Sequence, residues 1–142
     1  MKKILMLLTM VMMLGFSAVC SASNGKLLDA EEAAAQKFFN GGSFKVAGSV
    51  FGENMKKNWD EKSYNNFKDA FAKEFGKVLS SEMAFLEKRG ATDVLVYQIK
   101  TEKVPVARVA YLFSVNGDKA FLEDFNIILP QKEQAKAAEE KK

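Results

Sequence analysis

The sequence predicts an α+β fold, with three N-terminal helices packed on a curved four-stranded antiparallel meander. Three observations carry this. Apolar residues recur at helical spacing up to Gly76, alternate at strand spacing from Val78 onward, and the predicted strands are joined only by short links. Short links join antiparallel neighbours, because a parallel crossover needs a dozen or more residues.

The chain opens with Lys2 and Lys3, an uncharged apolar run from Ile4 to Phe16, and small residues from Ser17 to Ser23. That is the pattern of a signal peptide, expected over residues 1–22 with cleavage after Ala22. The run is too short to span a bilayer, which takes about 20 apolar residues. Two other readings of this segment stay open, a lipid anchor at Cys20 and an uncleaved anchor. Val19 stands against the first, since a lipoprotein signal has a small residue before its cysteine. A short leader (23–28) precedes a single domain (29–130). The Ala-, Glu-, Gln- and Lys-rich tail 131–142 has no apolar stripe to dock and is expected to be disordered.

Asp29 and Glu32 have the spacing of a capping box, and Asn40-Gly41-Gly42 forms a stop, so the first helix is expected between them. Ser43 caps a second, shorter helix that carries Phe44, Ala47, Val50 and Phe51. A turn with Met55 and Trp59 follows. Asp60 then opens the longest helix, whose stripe Tyr64, Phe67, Phe71 and Phe75 ends at Gly76.

The strands are expected from Val78, over Val94–Thr101, over Val104–Val115 and over Ala120–Leu129. Gly90 marks the first hairpin, and Asn116-Gly117 predicts a tight one with positive φ at both residues. Alternation puts Leu95, Tyr97, Ile99, Val109, Tyr111, Phe113, Phe125, Ile127 and Leu129 on one face. Val94, Val96, Val106, Ala110, Leu112, Leu122 and Ile128 fall on the other, with Arg108 and Asp124 as expected cross-strand neighbours near Glu82 and Lys100. Helices can cover only one face. A second apolar face is either sheltered by curling or covered by another copy, and the pattern favours a homodimer with Val96, Ala110 and Leu122 at its interface.

Composition excludes several classes of function. Taking Lys2 and Lys3 from the 21 basic residues leaves 19 against 18 acidic ones, a net charge of +1. Such a chain has no basic footprint for nucleic acid. Histidine is absent, and the single cysteine lies in the signal. Histidine- and thiol-based catalysis and metal sites are therefore not expected, nor is any cofactor or a disulfide. No phosphate-cradling glycine loop occurs.

Helices ahead of a four-stranded meander in a short exported chain resemble the nuclear-transport-factor-two-like superfamily, and more narrowly a secreted bacterial family of unknown function. The resemblance rests on Ala33 to Phe39, the pair Met55-Lys56, Gly76, and the hairpin Asn116-Gly117-Asp118 leading into Phe121 to Phe125. It implies a cone-shaped fold whose helices close over the sheet and leave a pocket. Some members use that pocket to bind apolar molecules, and a few use it for catalysis with a buried carboxylate and tyrosine partners. Fold alone transfers neither role.

Four aromatic residues are candidates for lining such a pocket: Trp59, Tyr64, Tyr97 and Tyr111. Ordinary packing is the alternative for each. No catalytic residue is assigned. The leading expectation is non-catalytic binding of a small apolar ligand or a protein partner. An interaction module using the outer sheet face is the alternative, and an isomerase or dehydratase built on tyrosine and carboxylate is a third.

Overall fold

A computed structural model describes residues 25–130. The expected signal peptide, Cys20, the start of the leader and the tail 131–142 lie outside the described residues.

Helix α1 (residues 25–40) already runs at residue 25, so Asp29 lies within it instead of capping it. Leu27 and Leu28 pack on the core, which gives these earlier turns an apolar face to bury. Helix α2 (Phe44–Gly48) is capped by Ser43, whose Oγ accepts from Val46 N at 3.4 Å. Helix α3 (Glu53–Asn58) stands where the sequence predicted a turn, making four helices rather than three. Glu53 in its first turn and Lys56 and Lys57 in its last complement the helix dipole, and Met55 is buried beneath it. Helix α4 (Glu61–Phe75) starts at Asp60, which accepts from Ser63 N at 2.7 Å. It stops at Gly76, where φ of +74° suits glycine.

Strands β1 (Val78–Lys88), β2 (Thr92–Thr101), β3 (Ala107–Asn116) and β4 (Lys119–Ile128) form an antiparallel sheet in chain order, curved but not closed. The last hairpin turns on Gly117 and Asp118, one residue later than predicted. Asn116 pairs with Lys119, and only Gly117 has positive φ. A two-residue loop with glycine first meets the strand twist without needing positive φ at a second residue.

Three register shifts interrupt the sheet, one between Val78 and Ser80 at the start of β1 and two that change the face assignments. Between Met83 and Phe85 the register shifts, so Met83 lies opposite Tyr97 but Phe85 lies opposite Val96. Phe85 thereby turns to the outer face and Leu86 to the core side. In β4, Asp124 lies opposite Leu112 while Leu122 lies opposite Phe113, leaving Glu123 as the extra residue. The bulge inverts the alternation, and Leu122, expected on the outer face, is fully buried in the core. Val96 keeps its outer position, yet it is only 3% exposed, and Ala110 beside it is half-buried. The ion cluster expected there does not form. Arg108 lies opposite Ile128, Glu82 opposite Gln98 and Lys100 opposite Ser80.

The core centres on Phe38, which has no exposed surface. Its ring meets those of Phe51, Trp59, Tyr64, Phe67 and Phe125 at centroid distances of 4.7 to 6.1 Å. Phe71 and Phe75 stack one turn apart at 4.7 Å. The segment after α2 joins the sheet through a bridge between Phe51 and Leu122, with Gly52 N donating to Leu122 O and Leu122 N to Val50 O, both at 2.7 Å. A Cβ at Gly52 would stand 2.0 Å from the Glu123 carboxylate, so a larger residue there must displace that side chain. That carboxylate in turn accepts from Asn54 N and Ser114 Oγ. At the other edge, β1 is exposed along almost its whole length. The helices leave it uncovered, and this opens the cleft described next.

Candidate functional site

Helix α1 presents Glu31, Ala34, Ala35 and Phe38 to the sheet at spacings of three, one and three, and all four are buried. Its neighbouring face carries Gln36, Phe39 and Asn40 toward the overhanging start of β1. Between them lies a cleft of about 260 Å³, walled by these residues and by Val78 to Ser81. Its floor is Tyr97 and Ile99 from β2 with Val109 and Tyr111 from β3. Ligand pockets for drug-sized molecules occupy about 300–1,000 Å³, so this one fits a smaller molecule.

The two tyrosines set the polarity of the floor. Their rings lie 6.2 Å apart at 81°, an edge-to-face pair. The Tyr97 hydroxyl donates to Glu32 Oε1 at 3.3 Å. Tyr111 is 4% exposed, and its hydroxyl makes no hydrogen bond to another described residue. Burial, with the Glu32 charge and hydrogen bond, pushes the Tyr97 phenol up to about 12. Burial, aided by Tyr97, raises Tyr111 above the ordinary phenol range. Both therefore stay protonated at physiological pH, and the floor offers one free neutral hydroxyl.

A second polar group lies one turn back along α1. Glu31 and Asp93 are 0% and 2% exposed. Lys88 Nζ bonds Asp93 Oδ2 at 2.8 Å, while neither Glu31 oxygen has a donor among the described residues. Burial first, then the adjoining Asp93, raises Glu31 to about 7. Burial alone would raise Asp93 as well, but hydrogen bonds from Glu31 and Lys88 and the ammonium charge outweigh it and lower it. Glu31 thus carries the proton and Asp93 the charge.

The four aromatic candidates separate. Tyr97 and Tyr111 come together on the cleft floor. Tyr64 is buried in the core, its hydroxyl donating to Phe38 O at 3.0 Å, away from the cleft. Trp59 is half-buried against Phe38, Phe67 and Phe125, and borders a separate shallow depression with Phe44 and Lys56. Glu31 and Asp93 were not singled out by sequence, and Glu32 only as half of a capping box. Glu31 was legible in principle, since it falls on the same helical stripe as Ala34, Ala35 and Phe38. Among the described residues no acidic cluster is arranged to hold a metal ion, and no helix is long and apolar enough to cross a membrane.

No family model matches the chain, and no curated protein matches its sequence. Solved structures similar to it include a protein from Kribbella flavida, at 18% identity and TM-score 0.48, covering 81% of this chain and 97% of that one. A DUF4783 family protein from Bacteroides ovatus aligns at 14% identity and TM-score 0.49, covering 70% and 94% of the two chains. A SEC-C motif-containing protein from Rhodopseudomonas palustris aligns at 11% identity and TM-score 0.42, covering 68% and 70%.

Proposed function

We propose that this protein is an exported, non-catalytic binding domain whose cleft between α1 and β1 takes a small, mostly apolar molecule bearing one neutral hydrogen-bond acceptor. The observation that carries this reading is the hydroxyl of Tyr111, which bonds no other described residue and lies on a floor shared with Ile99 and Val109. An acceptor on a ligand in the cleft would pair with this hydroxyl, for the net worth of about one hydrogen bond. Glu32 behind Tyr97 disfavours an anionic group at the same place. Export rests on the signal-peptide pattern of residues 1–22. A nuclear-transport-factor-two-like fold is part of the same proposal, supported by helices over one face of a curved meander with a cleft beneath the first helix.

A proton-abstracting enzyme needs a carboxylate directed into the pocket. Glu32 accepts from Tyr97 and does not line the cleft, so the binding reading is preferred. The homodimer is the second reading. It draws on Phe85, 48% exposed on the outer face beside Val96, but no longer on Leu122.

The binding reading is tested by NMR titration with acetophenone and with ethylbenzene, which lacks the acceptor. Saturable shifts at Gln36, Phe39 and Ser80 amides with acetophenone, weaker with ethylbenzene, are expected. No saturable shift with either probe would count against the cleft as a binding site.

A further inference from the structure

Glu31 is the one fully buried charged-type side chain whose oxygens meet no donor among the described residues. Asp93, a second buried carboxylate, lies within hydrogen-bond reach of it, and two carboxylates cannot approach in an enclosed site unless a proton lies between them. We propose that α1 is latched to the β1–β2 hairpin by a proton held between Glu31 and Asp93, and that losing this proton as pH rises frees the N-terminal half of α1 and with it one wall of the cleft.

The geometry makes the latch local. Asp93 opens β2, with Phe113 of β3 opposite it, and Lys88 closes β1 as its cross-strand partner on the other side. These two charged groups face Glu31 from the sheet. Arg89 in the hairpin is engaged by Glu87, at 2.8 Å through both Nε and Nη2. On α1 itself Glu32 is turned to Tyr97. With the proton present, neutral Glu31, anionic Asp93 and cationic Lys88 sum to zero charge. Without it, the buried group carries one uncompensated negative charge, and the nearest relief is for Glu31 to swing into water. Ala35, one turn further along α1, lines the cleft, so the displacement reaches its wall.

The direction follows from linkage. Glu31 holds its proton up to about 7 when packed, against an ordinary 4.5 in water. The latch is therefore complete below pH 4.5 and is lost as pH rises through about 7. Within that window the opening equilibrium of α1 grows by up to about tenfold per pH unit, and above it the equilibrium levels off.

Hydrogen–deuterium exchange on the folded chain between pH 5 and 8, corrected for intrinsic rates, tests this. Amides in the first half of α1 are expected to lose at least tenfold in protection while α4 amides keep theirs. Glu31→Gln, which keeps the shape and cannot ionise, should remove the pH dependence. Lys88→Met should move the midpoint up and Asp93→Asn should move it down, which keeps the proposal testable if Glu31→Gln fails to fold. Equal loss in α1 and α4, an unchanged profile in Glu31→Gln, or midpoints that do not move apart would overturn it. The readout is protection of the free protein, so it stands or falls independently of whether the cleft binds anything.

Discussion

The Tyr97 ring stands at 81° to the Tyr111 ring with centroids 6.2 Å apart, and only Tyr97 has its hydroxyl occupied, by Glu32. Equivalent residues on adjacent strands thus differ in chemistry, one engaged and one free. Tyr111→Phe is expected to leave stability nearly unchanged and to weaken acetophenone binding about fivefold, the worth of one hydrogen bond near 1 kcal/mol. Ethylbenzene binding should not respond. The comparison is made by NMR titration of both proteins with both probes.

All three tyrosines are buried and shifted the same way, Tyr64 and Tyr111 chiefly by burial and Tyr97 by burial with Glu32. A phenol with a raised value contributes stability that is full below its unfolded value of 10. For Tyr97 that contribution is lost as pH rises through about 12. Ultraviolet titration is expected to show all three phenols ionising above pH 10 in the folded protein. A phenol titrating normally at 10 would mean that one of these side chains is not packed as described.

Phe38 joins the helical layer to β4 through its contact with Phe125. Phe38→Ala is expected to cost about 3–5 kcal/mol in urea unfolding, the range for emptying a buried aromatic site.

Leu122 lies on the face opposite to the one alternation assigned it and Phe85 lies on the outer face, and both placements can be measured. Leu122→Ala should cost about 2–5 kcal/mol as a core truncation. Phe85→Lys should change stability by no more than about 0.5 kcal/mol. Val96 is too buried for a charge there to report cleanly on association, so Phe85→Lys is also the variant for the dimer reading. In sedimentation analysis a dimer seated on the outer face should dissociate with this change, and an unaltered dimer would place its interface elsewhere.

Much of the fold was legible because the physics was local. Asp60 and Gly76 bracket α4, Ser43 caps α2, and the β-branched runs mark β2 and β3. The bulges were not legible. Nothing in Met83-Ala84-Phe85 or in Leu122-Glu123-Asp124 announces an extra residue, because a bulge is a property of how two strands pair and not of the local residues. A period counted through such a point is inverted beyond it. The site was half legible for a related reason. Tyr97 and Tyr111 sit on uninterrupted parts of β2 and β3, where alternation holds. Asp93 looked like a turn residue until the strand was seen to begin at Thr92, and Glu31 lay inside the expected first helix without being singled out.

The most direct test of the cleft as a binding site is native mass spectrometry of the protein purified gently from its own host, alongside a Ser81→Trp variant that fills the cleft. The expected result is a small-molecule adduct on the unmodified protein that is absent from the variant. An adduct-free spectrum of the unmodified protein, or an adduct that persists in Ser81→Trp, would contradict the assignment of this cleft.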